Sequence, residues 1–150
     1  MNNIISEPID LTSVVDSVKT HASGAIDVFI GTTRDHSKGR QVAVLEYEAY
    51  LPMALKSIEG IEREARARWN LHEINIVHRI GRVGIGEPSV VIAVSSAHRD
   101  EAFMACRYLI DRLKEEVPIW KREYFTDGTF EWSMHSHEQQ ASDKTLQTHP

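Results

Sequence analysis

INIVHRIGRVGIGEPSVVIAVS, residues 74–95, decides the fold class. In its first half Ile74, Ile76, His78 and Ile80 alternate along an extended chain. From Ser89 to Ser95 the residues form an apolar run of the kind carried by a strand buried on both faces. Between them GIGEP has the glycine and proline of a turn. A connection this short makes a hairpin, because a parallel crossover needs a dozen or more residues.

Downstream, Phe103, Cys106, Ile110, Leu113 and Val117 recur at spacings of three and four, which predicts one buried face of a helix that Pro118 ends. Two short strands follow, Ile119–Phe125 and Thr129–Trp132, joined by Asp127-Gly128, a strong hairpin signal. Upstream, Pro52 suits a first helical turn, and Ala54, Ile58, Ile61, Ala65 and Trp69 mark that helix's apolar face. Ahead of it the strands Ala25–Ile30 and Val42–Tyr50 flank the polar loop TTRDHSKGR. The first helix carries Leu11, Val14, Val15 and Val18, with Asp10 as its cap and Gly24 as its stop. The order αββαββαββ contains hairpins and no regular βαβ alternation, so the expected fold is α+β with a largely antiparallel sheet. After Trp132 apolar content falls away. We expect one domain over residues 1–132 and a disordered tail over 133–150.

At 150 residues the chain can bury a core without disulfide or metal. Its single cysteine, and the lack of a secretory layout, predict a reducing, cytoplasmic setting. The longest apolar run, Val90–Val94, is far below the roughly 20 residues of a membrane helix. Seventeen Lys plus Arg against 22 Asp plus Glu give a net charge of −5, which disfavours a nucleic-acid partner and makes any anion site a local one.

Several motifs have plain readings. GRVGIG has neither phosphate-loop spacing, and a simple turn explains it. His72 and His78 lack zinc spacing and have no CxxC to complete a site, and His135 and His137 sit in the expected tail, so no metal site is assigned. Cys106 falls in the apolar stripe, where a free cysteine acts as a small hydrophobe.

The basic residues are more informative. SSAHRDEAF, 95–103, takes a buried strand straight into a helix, whose first backbone N–H groups attract anions, and sets His98 and Arg99 at that mouth. A local pairing of Arg99 with Asp100 or Glu101 is the plain alternative. Lys114 stands near the helix end, where the dipole favours a cation. Lys121 and Arg122 must point to opposite faces of their strand. Arg34, His36, Lys38 and Arg40 supply further cations in a loop that is solvated by default.

Taken together, GAIDVFIGTTRDHSKGR, LEYEAYLPMA, VHRIGRVGIGE, VSSAHRDEAF and LKEEVPIWKRE resemble the family of molybdopterin synthase catalytic (large) subunits over about residues 6–132. The resemblance implies an α/β hammerhead with additional antiparallel strands. It also implies a sulfurtransferase of molybdenum cofactor biosynthesis that converts precursor Z, cyclic pyranopterin monophosphate, to molybdopterin. Two sulfurs would come from the C-terminal Gly-Gly thiocarboxylate of a small ubiquitin-like carrier, one carrier at each end of a large-subunit homodimer, making a heterotetramer. No cofactor of its own is implied. Position by position, the family's pocket falls on Arg34, His98, Arg99, Lys114, Lys121 and Arg122. Of these, Lys114 and Lys121 are candidates for general acid or base, since neighbouring cations disfavour a second charge on a lysine. The arginines suit clamping of phosphate and carboxylate, and His98 suits orienting substrate or shuttling a proton. A noncatalytic scaffold that receives the carrier's tail is the competing expectation.

Overall fold

The computed structural model describes residues 1–134. Its elements run β1 (Asn3–Ile5), α1 (Leu11–Val18), β2 (Ala25–Thr32), β3 (His36–Ser37), β4 (Arg40–Ala49), α2 (Leu51–Arg68), β5 (Ile74–Arg79), β6 (Gly81–Gly84), β7 (Pro88–Ser96), α3 (Arg99–Glu116), β8 (Ile119–Phe125) and β9 (Phe130–Met134). One sheet has the order β1-β5-β7-β2. The other is built on β4, with β8 and then β9 on one side and β3 and β6 on the other. β1 lies parallel to β5, and the remaining pairs are antiparallel. The fold is α+β, as the hairpins required.

Strand alternation explains the layers. On β7, Val90, Ile92 and Val94 join the core beneath α2 and α3, while Val91 and Ala93 face α1 with Val14 and Val18. The apolar run therefore serves two cores, one on each face of the first sheet. Leu45, Tyr47, Val83, Ile119 and Phe125 bring the second sheet into the larger core. A bulge between Val42 and Val44 turns Val42 to the same buried side.

Several expectations need correction. GRVGIG is more than a turn: Gly81, at φ +85°, redirects the chain out of the first sheet, and β6 pairs with β4, burying Val83. The SKGR stretch, read as loop, closes a tight β3–β4 hairpin, with positive φ at Lys38 and Gly39 as a type I′ turn requires. α1 ends at Val18 rather than at Gly24. Gly24 answers another demand, since a Cβ there would meet the Ala97 carbonyl oxygen at 2.4 Å. Phe103, assigned to the buried face of α3, is 57% exposed, and Ala102, Ala105 and Leu109 take the buried places. β9 reaches Met134, past the expected boundary at Trp132, and the rest of the expected tail lies outside the described residues.

Cys106 is buried against β7, its Sγ 3.8 Å from the Ile92 carbonyl, and burial, with Asp27 nearby, pushes its thiol up to about 12. Thiol reagents at pH 8 should leave it unmodified until the chain unfolds. Labelling at native rates equal to those in urea would contradict this burial.

Candidate functional site

α3 carries candidate cations at both of its ends. At the first, β7 stops at Ser96, the chain turns through Ala97 and His98, and Arg99 opens the helix. The corner is tied down by the Ser96 hydroxyl, which donates to the His98 carbonyl, and by the Gly24 N–H, which donates to the Ser96 carbonyl at 3.0 Å. His98 is the N-cap residue without a side-chain capping bond, so its imidazole is left for other partners. Arg99 is exposed, and the local ion pair with Asp100 or Glu101 does not form.

At the other end Lys114 is half-buried in the last turn, Val117 caps the helix, and the chain enters β8. Here alternation separates the cationic pair. Ile119, Lys121, Glu123 and Phe125 take the inner face, and Trp120, Arg122 and Tyr124 the outer one. Lys121 lies opposite Tyr47 of β4, whose ring stacks edge-on against buried His78 at 5.0 Å. Its ammonium is 3.2 Å from the carboxylate of Glu123, the two side chains being 13% and 4% exposed. Glu123 was not singled out in the sequence. Its signal was present, because a residue two along a strand shares the face of its neighbour.

Arg122 is placed differently. Its guanidinium lies 4.0 Å from the Trp132 ring centroid and donates to the Tyr124 hydroxyl at 2.7 Å, which accounts for it by stacking on the outer face. The loop cations also divide. His36 pairs with Asp35, Lys38 with Glu131, and Arg40 with Asp127 and Glu131. Arg34 is exposed and, like His98, Arg99 and Lys114, has no ion pair among the described residues.

Topology sorts these groups in space. α3 returns antiparallel to β7 and packs on β7 and β2, so its last turn lies toward Pro88 and Thr32, two residues from Arg34. Arg34 and Lys114 thus belong to one end of the subunit, and Lys121 follows Lys114 in the chain on β8. His98 and Arg99 belong to the other: at 1.5 Å per residue, Arg99 and Lys114 stand about 22 Å apart along the helix. The structure sets Arg34 and Lys114 toward a common end and keeps His98 and Arg99 away from it.

His78, beneath Tyr47, has a pH consequence. Burial lowers its pKa to about 4, against the opposing pull of its hydrogen bond to the Arg79 carbonyl. Unfolded, the ring titrates near pH 6.5, so between about 6.5 and 4 the unfolded chain binds a proton that the folded one does not. Stability falls as pH drops through that window, by at most roughly 3 kcal/mol, and no further below it. Urea midpoints at pH 7, 6 and 5 should show this decline, and His78→Leu should flatten it.

Among the described residues no group of three or more His, Cys, Asp or Glu is placed to hold a metal ion, and no helix is long and apolar enough to cross a membrane. The described part of this α+β chain thus carries cations without ion pairs at both ends of one helix, and a lysine held by a buried glutamate on β8. The chain belongs to the MoaE protein family, whose model matches residues 4–116. It is 47% identical over 128 residues to the molybdopterin synthase catalytic subunit of Arabidopsis thaliana, covering 85% of this chain and 64% of that one. It is 48% identical over 125 residues to the protein of the same name from Thermoplasma volcanium, covering 83% and 89%. The crystal structure of molybdopterin synthase from Staphylococcus aureus superposes with a TM-score of 0.82 at 42% identity, covering 87% of this chain and 94% of that one. The chain spans just under two thirds of the plant relatives' length.

Proposed function

We propose that this chain is the catalytic subunit of a molybdopterin synthase, a sulfurtransferase that converts precursor Z to molybdopterin with sulfur delivered as a partner's C-terminal thiocarboxylate. The observation that carries the reading is the set of cations left without counter-ions in an otherwise acidic chain, joined at one end by Lys121. A substrate phosphate and a thiocarboxylate are the charges such a set would neutralise. Relatives from a plant and an archaeon bear the name of this catalytic subunit, which supports the same reaction.

Sulfur that arrives on a partner asks nothing of Cys106, whose thiol stays protonated and buried. The steps left to this chain are binding anions and moving protons. Lys121, oriented by Glu123 and adjoining Tyr47, is placed to exchange a proton with the reacting group, and Lys114 is its companion at the same end. Arg34 binds phosphate or carboxylate there, while Arg122 supports the sheet and acts on the substrate indirectly. His98 and Arg99, about 22 Å along α3, enter the same site only from a second copy of the chain.

Purified chain, thiocarboxylated carrier and precursor Z should together yield molybdopterin. Carrier binding without product would leave the scaffold reading in its place.

A further inference from the structure

The GRVGIGE stretch closes on itself through Glu87. β5 ends at Arg79, Gly81 redirects the chain into β6, and residues 85–87 return it to β7. Main chain and side chain both fasten that return. The Glu87 N–H donates to the Gly84 carbonyl at 3.0 Å, and one Glu87 carboxylate oxygen accepts from the Gly84 N–H at 2.9 Å. The other oxygen accepts from the Arg79 guanidinium at 2.9 Å, and Arg79 is itself only 9% exposed. Gly84 is glycine for want of room, since a Cβ there would meet the same Glu87 oxygen at 2.5 Å.

This turn in turn holds the chain that leads to Arg34. Register between β2 and β7 shifts between Gly31 and Thr32, so the ladder stops dictating the path of the residues that follow. The turn takes over. The Gly86 N–H donates to the Thr33 carbonyl at 2.8 Å, and the Thr33 N–H donates to the Glu87 carbonyl at 3.2 Å. On the far side of Arg34, the Val42 N–H of β4 donates to the Asp35 carbonyl at 2.8 Å. Arg34 is therefore the one residue between an anchor on the first sheet's turn and an anchor on the second sheet. Its side chain is exposed and has no ion pair among the described residues, so these backbone anchors decide where its guanidinium starts from.

We propose that Glu87 is a positioning residue for anion binding: by closing the turn over Gly84 and Arg79 it fixes Thr33, and through Thr33 it aims Arg34 at the anion. The proposal rests on the reading of Arg34 as an anion-binding residue and names what holds it in place. Glu87 does not serve the anion directly, because a carboxylate facing it would repel it, and here both oxygens are turned to donors of the turn. A plain stabilising ion pair is the alternative. With the Glu87 side chain 44% exposed, such a pair adds little stability.

Kinetics of the synthase assembled with thiocarboxylated carrier test this, with the KM for precursor Z and the affinity for the carrier both measured. Glu87→Ala should weaken one or both by roughly five- to twentyfold and leave kcat within about twofold, because a binding group is displaced and the proton-transfer step is untouched. A change confined to precursor Z makes the anion its phosphate, and one confined to the carrier makes it the terminal carboxylate. Gly84→Ala removes no charge and displaces the Glu87 oxygen from the other side, so it should act in the same direction by a smaller factor, and it keeps the test open if Glu87→Ala does not fold. In an Arg34→Ala background neither substitution should weaken binding further. Equal weakening with and without Arg34 overturns the proposal, as does a fall in kcat alone or unchanged binding in both turn variants. Arg34→Ala with KM and carrier affinity unaltered overturns instead the anion-binding reading on which the proposal stands.

Discussion

Lys121→Ala should lower single-turnover formation of molybdopterin by on the order of a hundredfold or more, the usual scale for losing a positioned general acid or base. Carrier affinity should change far less. The expectation follows from placement: Lys121 is on the inner face of β8, mostly buried, opposite Tyr47 and fixed by Glu123 at 3.2 Å. A lysine kept there for packing alone would lose stability on truncation, and its rate per folded molecule would be unaffected. Lys121→Arg separates charge from chemistry, since arginine keeps the cation and does not give up its proton in practice. It should restore carrier affinity without restoring rate. Full activity in Lys121→Arg would make this residue an electrostatic clamp, and full activity in Lys121→Ala would remove it from the reaction. Glu123→Gln should lower the rate in the same direction by a smaller factor, through loss of the group that aims the ammonium.

The second large effect is a recovery. Arg99→Ala should by itself cost between tenfold and a hundredfold in rate, because it removes a charged hydrogen-bonding group from the anion. Mixed with Lys121→Ala after co-expression, it should regain activity to about a quarter of the unmodified protein. With random assortment about half the dimers are mixed, and each mixed dimer has one site with Arg99 and Lys121 both intact and one with both lost. If both residues served the same chain's site, every site in the mixture would keep one defect and no recovery would occur. The 22 Å of α3 between Arg99 and Lys114 is the reason to expect it.

Much of the fold was readable one element at a time. α1, α2 and α3 announced themselves by apolar spacing, and Asp10 caps α1 as expected, accepting from the Ser13 N–H at 3.3 Å. The β8–β9 hairpin forms at Asp127-Gly128, with Gly128 at φ +90°. β1, β3 and β6 escaped because each is short, and two to four extended residues carry too little periodicity to read. They exist through partners far along the chain, as Val83 does against Leu45. Phe103 was misassigned for a related reason. Spacing reports which residues share a helix face, and contact with other elements decides which face is covered.

The site divides along the same line. The residue types, the burial of Cys106 on α3 and the opposite facing of Lys121 and Arg122 follow from sequence, because composition, helical spacing and strand alternation are local properties. That Arg122 stacks on Trp132 while Lys121 meets Tyr47 and Glu123 depended on which strands neighbour β8. That His98 and Arg99 stand a helix length from Lys114 depended on α3 folding back along β7, so that residues drawn into one motif by their charge were held apart by a rigid rod. Local spacing determined which groups this protein possesses. Long-range packing alone decided which of them stand near one another, because distance in space is set by contacts between segments that the order of residues does not display.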